Sequence, residues 1–188
     1  MIKKVVISGY KPFEVGVFKK DDIAISFIKK AIRRNLETLM NEGLEWVIIS
    51  GQLGTELWAA EVVFDMQIEG YEQLQLAVIT PFYNQEQTWN DQNKEWYEFV
   101  ISQADFVDSV SRKNYESPWQ FRLKNQFLIE KSDAMILFYD SDREGSPKYL
   151  YEAVRTYQEK YSYSLHFITF SDLESLFEEE QFQNRQDD

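Results

Sequence analysis

Six short runs dominated by aliphatic and β-branched residues recur along the chain, and a longer segment of helical period follows each. The runs are Lys3–Ser8, Trp46–Ser50, Gln75–Thr80, Asp105–Val110, Ala134–Tyr139 and Ser164–Thr169. Most are continuously apolar rather than alternating, as expected for strands buried on both faces. Strands spaced by helices pair in parallel through crossover connections. The expected architecture is therefore α/β, with a mostly parallel six-stranded sheet between helical layers. The intervening periodicity predicts helices over about Lys20–Asn41, Thr55–Glu69, Asp91–Gln103, Pro118–Lys131 and Lys148–Tyr161, and a short acidic helix from Ser171. The segment 55–69 is apolar nearly all round, from Leu57 and Trp58 to Ile68, which predicts a deeply buried helix.

No fixed-period repeat or Pro- and Ser-rich linker interrupts the 188 residues, so residues 1–180 are expected to form one domain. Half of the formal charge of −12 falls in residues 171–188, which leaves a mildly acidic body and an acidic tail, 181–188, expected to fray. Such a balance disfavours nucleic acid or an anionic membrane as the main partner, because both select a cationic face. The absence of cysteine excludes disulfides, thiolate nucleophiles and zinc–thiolate sites, and the single His166 excludes multi-histidine metal sites. No segment has the length and apolarity of a membrane span, and the N-terminus reads as a strand instead of a signal peptide, so a cytoplasmic location is expected. Spare aromatics such as Trp89, Tyr97 and Tyr115 are available for a homo-oligomer contact.

In open parallel sheets, ligands bind beyond the carboxyl ends of the strands. The candidate positions are thus Ser8–Phe13, Ser50–Glu56, Thr80–Asn84, Ser111–Lys113 and Asp140–Lys148. In the turn SGQLGTE, Gly51 permits a sharp reversal, Gly54 removes a side chain where the helix begins, and Thr55 is placed to cap it. Free backbone N–H groups at a positive helix end suit a phosphate. Two glycines and a cap also make an ordinary tight turn, and the sequence supports both readings equally. Glu56 in the first turn favours the helix dipole but repels a phosphate, so it suits a sugar-hydroxyl acceptor or a general base. In DSDREGSPK, Gly145, Ser146 and Pro147 have the chemistry of a helix start. Lys148 opposes the dipole there, which hints at an anionic ligand. Between the fourth and fifth strands, Arg112, Lys113, Arg122 and Lys124 alternate with Tyr115, Trp119 and Phe121. That mixture suits a purine phosphate and equally a packed helix with a solvated outer face. The carboxylate pairs Asp21–Asp22 and Asp140–Asp142 read as caps and turns, and no metal site is predicted. Lys29, Lys30, Arg33 and Arg34 read as the solvated face of the first helix.

Five motifs in order, SGYKPFE at Ser8–Glu14, SGQLGTELWAAE at Ser50–Glu61, VITPFY at Val78–Tyr83, ESPWQFRLKNQF at Glu116–Phe127 and EGSPKY at Glu144–Tyr149, resemble the YpsA family of firmicute proteins over nearly the whole chain. The resemblance implies a Rossmann-like three-layer fold of the SLOG superfamily, related to the DNA-processing protein DprA and to the LOG, or lysine decarboxylase-like, phosphoribohydrolases. It further implies a nucleotide-type ligand such as ADP-ribose or an NAD-like molecule, and a link to bacterial cell division through a protein partner. Gly54 and Glu56 match the superfamily's ligand-binding turn, with Gly9, Gly51, Thr55, Ser146 and Lys148 beside the same crevice. The LOG signature P-G-G-x-G-T-x-x-E is reduced here to G-x-x-G-T-E, with the acid displaced. The expected function is a ligand-responsive binding module. The alternatives are a hydrolase of N-glycosidic or phosphate bonds using Glu56, and an adaptor using the acidic tail.

Overall fold

In a computed structural model, which describes residues 1–187, the apolar runs form six strands: β1 (Lys4–Gly9), β2 (Trp46–Ile49), β3 (Gln75–Thr80), β4 (Phe106–Ser109), β5 (Ala134–Phe138) and β6 (Ser164–Ile168). They make one sheet of order β4-β3-β2-β1-β5-β6, and every pairing is parallel. The helices are α1 (Ile23–Asn41), α2 (Thr55–Ile68), α3 (Asp91–Gln103), α4 (Trp119–Glu130), α5 (Pro147–Gln158) and α6 (Phe170–Gln186). Two 3-10 turns, Pro12–Val15 and Gln85–Thr88, escape a reading based on periodicity because each is shorter than one amphipathic repeat. The first helix starts three residues later than expected, because Asp22 accepts the Ala24 N–H at 2.9 Å and caps it there.

The chain steps outward from β1 through β2 and β3 to β4, then returns to place β5 on the other side of β1. Handed crossovers put α1, α2 and α3 on one face and α5 on the other, and α4 makes the return journey across that second face. Two apolar layers result. Val5, Ile7, Val47, Ile49, Leu76 and Val78 meet α1, α2 and α6. Val6, Ile48, Ala77, Ile79, Met135 and Leu137 meet Leu128 and Ile129 of α4 and Leu150 and Val154 of α5. Alternation along the strands then points Ser8, two residues after Val6, and Ser50, two after Ile48, toward the α4 side.

Helix α2 is largely buried as its composition predicts, with Asp65 exposed and Ile68 at its end 85% exposed. The acidic segment forms a helix through Gln186 instead of a short helix and a frayed tail, and Asp188 lies outside the described residues. Two of its acids tie it to α1. Glu179 pairs with Arg34 at 2.6 Å and Glu180 with Lys30 at 2.9 Å, while Lys29 meets Glu61 and Arg33 meets Glu37 and Glu69. The basic face of α1 is therefore matched by carboxylates. Among the described residues, no helix is long and apolar enough to cross a membrane.

Candidate functional site

The turn after β2 is built by contact with the turn after β1. Gly54 has φ 88° and ψ −124°, which an L side chain adopts only under strain, and a Cβ there would lie 2.6 Å from the Tyr10 carbonyl and 2.8 Å from Pro12 Cδ. Thr55, 1% exposed, donates its hydroxyl to that carbonyl at 2.9 Å, and its N–H reaches the same oxygen at 3.2 Å. Its hydroxyl is thus spent inside the protein. Gly9 has a related duty, since a Cβ there would sit 2.6 Å from Phe138 Cβ and 2.7 Å from Thr55 Oγ1. Gly51, at φ 85°, admits Gln85 and Tyr97, each 2.8 Å from a virtual Cβ. Tyr97 is buried here against Trp89 instead of available for an oligomer contact.

Chain order reverses between β1 and β5, and the rule for open sheets puts the ligand there. The protein closes that position with its own groups. The Tyr10 hydroxyl donates to the Arg143 carbonyl at 2.6 Å and accepts the Asp140 N–H at 2.9 Å, and burial pushes the phenol's pKa up. Glu14 accepts the Ser146 N–H and hydroxyl, each at 2.6 Å, and the Lys11 N–H at 2.8 Å. The anion at the α5 N-terminus is thus Glu14, supplied from 132 residues away. Ser146 is consumed by it. Lys148 lies outside this contact, half exposed along α5 and 4.0 Å from Glu152.

Glu56 occupies a different position. It is 4% exposed and reaches over the strand ends to the α4 side. Its Oε1 accepts the Ser50 N–H at 2.6 Å, the Ser50 hydroxyl at 2.8 Å and the Gln52 N–H at 3.4 Å, and its Oε2 accepts the Ser8 hydroxyl at 2.9 Å. A carboxylate this buried is tolerated because donors surround it. The next N–H groups of α2, those of Glu56 and Leu57, find no intramolecular acceptor among the described residues. Facing this carboxylate from the second layer is Lys124. The buried residues Gln120, Lys124 and Leu128 form one stripe on α4, four residues apart. Gln120 shapes the preceding loop by accepting the Glu116 N–H at 2.7 Å and donating to the Asn114 carbonyl at 3.1 Å. Lys124 is 7% exposed, yet no carboxylate pairs with it and no acceptor takes its protons among the described residues. Burial lowers its pKa, the field of Glu56 opposes that shift, and the field of Lys11 reinforces it.

The cationic cluster read from residues 112–124 is therefore divided. Arg112 pairs with Asp108 at 2.8 Å, Lys113 with Glu116 at 2.6 Å, and Arg122 stacks 5.6 Å from the Trp119 ring. Lys124 alone turns inward. Trp119 and Leu123 lie on the exposed side, and Phe121 joins Phe82 and Tyr115 in an aromatic cluster with ring centroids 5.1–6.3 Å apart. A lysine on the i, i+4, i+8 stripe with Gln120 and Leu128 was the available signal, and the surrounding basic residues masked it. Two concavities lie elsewhere. One of about 310 Å³ sits between α1 and α6 among charges already paired with one another, and one of about 580 Å³ lies at the opposite end of β2 and β3. Neither includes Glu56 or Lys124.

An all-parallel six-stranded sheet with a glycine-bounded turn after an inner strand, and an acid in the first turn of the following helix, defines a Rossmann-like α/β protein. Residues 5–173 match the YspA SLOG family (YpsA), and the chain belongs to that family. It is similar to UPF0398 proteins of Bacillus cereus and Bacillus thuringiensis, each 56% identical over 183 residues, 97% of this chain and 99% of theirs.

Proposed function

We propose that the protein is a binding module for a nucleotide-derived ligand, of the ADP-ribose or NAD-like kind, held in the crevice where Glu56, Ser8 and Ser50 face Lys124. The observation that carries this reading is a buried carboxylate, Glu56, within electrostatic reach of the inward-turned Lys124 without pairing with it. A ligand bearing both a hydroxyl and an anion satisfies both groups, and a nucleotide bears both. Glu56 Oε2 takes one protein donor and so has a lone pair left for a sugar hydroxyl. Oε1 takes three, which ties the carboxylate to the turn and suits it to orientation more than to proton transfer. Occupation of the crevice would brace the β2–α2 turn against α4. A protein partner, in the setting of cell division that the resemblance implies, would read that change.

The test is thermal unfolding against ADP-ribose, NAD, AMP, ADP and ATP, with the ligand recovered afterwards. A ligand at about 100 times its Kd stabilises by roughly 2.7 kcal/mol, or about 5–10 °C for a chain of this size. A shift with one of these, and the ligand recovered intact, supports the module. No shift with any of them refutes the reading for these ligands. Product formation that disappears in Glu56→Gln establishes the hydrolase instead, through the free lone pair on Oε2.

A further inference from the structure

The position of Lys124 is one that an aliphatic side chain would fill at lower cost. Its neighbours on the α4 stripe are Gln120, fully used in shaping the 114–118 loop, and Leu128, part of the second apolar layer. A lysine 7% exposed with no counter-ion lays its aliphatic stem along the inward stripe and carries an unpaired ammonium to the rim of the packed layer. Glu56 does not provide the compensation. It lies beyond ion-pair distance, and its oxygens are engaged by Ser8, Ser50 and Gln52. A second amine, Lys11 from the turn after β1, is close enough for its field to act on Lys124. Two like charges within each other's field favour an anion beside them. The unpaired N–H groups of Glu56 and Leu57 at the start of α2 add positive potential to the same region.

We infer that Lys124 anchors a phosphate of the ligand and is the residue that makes the site prefer charged nucleotides to neutral nucleosides. This rests on the crevice being the ligand site and adds to it the group that recognises charge. The assignment also makes a side chain, and not a helix start alone, the main phosphate contact. The Thr55 hydroxyl and N–H are spent on the Tyr10 carbonyl, and the start of α5 is taken by Glu14. The anion is met by a side chain from the return helix.

The experiment is calorimetric titration of AMP, ADP and adenosine into the wild type and Lys124→Met, with the melting temperature of each recorded. Methionine keeps the length of the side chain and removes its charge. The expected result is a loss of affinity for AMP and ADP of about tenfold to a hundredfold, the worth of one charge-assisted hydrogen bond, with adenosine affinity unchanged and a melting temperature no lower than wild type. Two results overturn the inference while leaving the ligand site in place. In one, the variant keeps the wild-type preference for AMP over adenosine; in the other, it loses both ligands equally, which marks Lys124 as structural. A wild type that binds none of the three removes the underlying reading for these ligands, and the inference with it.

Discussion

Replacing Glu56 by glutamine and by alanine separates a carboxylate that organises its turn from one merely tolerated there. In the wild type one carboxylate takes four donors, two from backbone N–H groups and two from serine hydroxyls, at 2.6–3.4 Å. Glutamine can keep its carbonyl oxygen at the Oε1 position, where Ser50 and Gln52 donate. Its amide NH₂ then stands at the Oε2 position, and the Ser8 hydroxyl rotates from donor to acceptor. What is lost is charge assistance on the retained bonds, about 1–2 kcal/mol in all. Alanine removes the acceptor altogether. It leaves the buried Ser50 N–H and hydroxyl unpaired and opens a cavity, for a cost of about 3–5 kcal/mol. At about 2–4 °C per kcal/mol for a chain of this size, glutamine lowers the melting temperature by about 2–8 °C and alanine by about 6–20 °C. Urea unfolding measures both differences, with the slope of free energy against denaturant checked for constancy. Equal stability of glutamine and alanine would refute the reasoning, because it would mean the four hydrogen bonds do not act on the folded state.

Gly54→Ala is expected to destabilise by more than about 2 kcal/mol whether or not ligand is present, since its Cβ meets the Tyr10 carbonyl in a conformation side chains avoid; a melt of the unliganded protein checks this, and an unchanged melting temperature contradicts it. Glu14→Ala uncaps the start of α5 and frees the turn after β1, costing about 1–3 kcal/mol, with raised amide exchange at Lys11 and Ser146 as the local signature. Lys124→Met is expected to be at least as stable as wild type at neutral pH. The folded pKa of Lys124 lies below its unfolded value, so the unfolded chain holds the proton more tightly between the two, and wild-type stability rises with pH across that window up to about pH 10.4. The advantage of the methionine variant therefore shrinks as pH rises, and a gap independent of pH would show that Lys124 is no less basic folded than unfolded. Glu56 and Lys11 are the charged groups acting on it.

Much of the fold was legible because it depends on local pattern. Continuous apolar runs four to six residues long mark strands covered on both faces, and β3 and α3 fall on the residues their periodicity marks. The carboxyl ends of the strands, and with them Ser8, Ser50 and Glu56, follow from that pattern and the parallel topology it implies. Glu56 stood out as a candidate for a local reason too, since an acid beside a glycine turn conflicts with a phosphate and calls for another role.

The partnerships were not legible, because nothing local encodes them. Thr55 has the sequence of a cap and is instead tied to Tyr10, 45 residues earlier, and Ser146 is capped by Glu14 across 132 residues. Lys124 stands among Arg112, Lys113 and Arg122 in the sequence, and composition alone assigns the four one role. The chain by itself determined which segments are strands and helices and which ends carry the loops, since each depends on the spacing of apolar residues within one element. The tertiary structure alone decided that the return helix crosses the second face with its Gln120–Lys124–Leu128 stripe toward the sheet. That packing buries the stem of one lysine and leaves its amine within reach of the field of Glu56, and burial and proximity between distant segments exist only once the sheet has assembled.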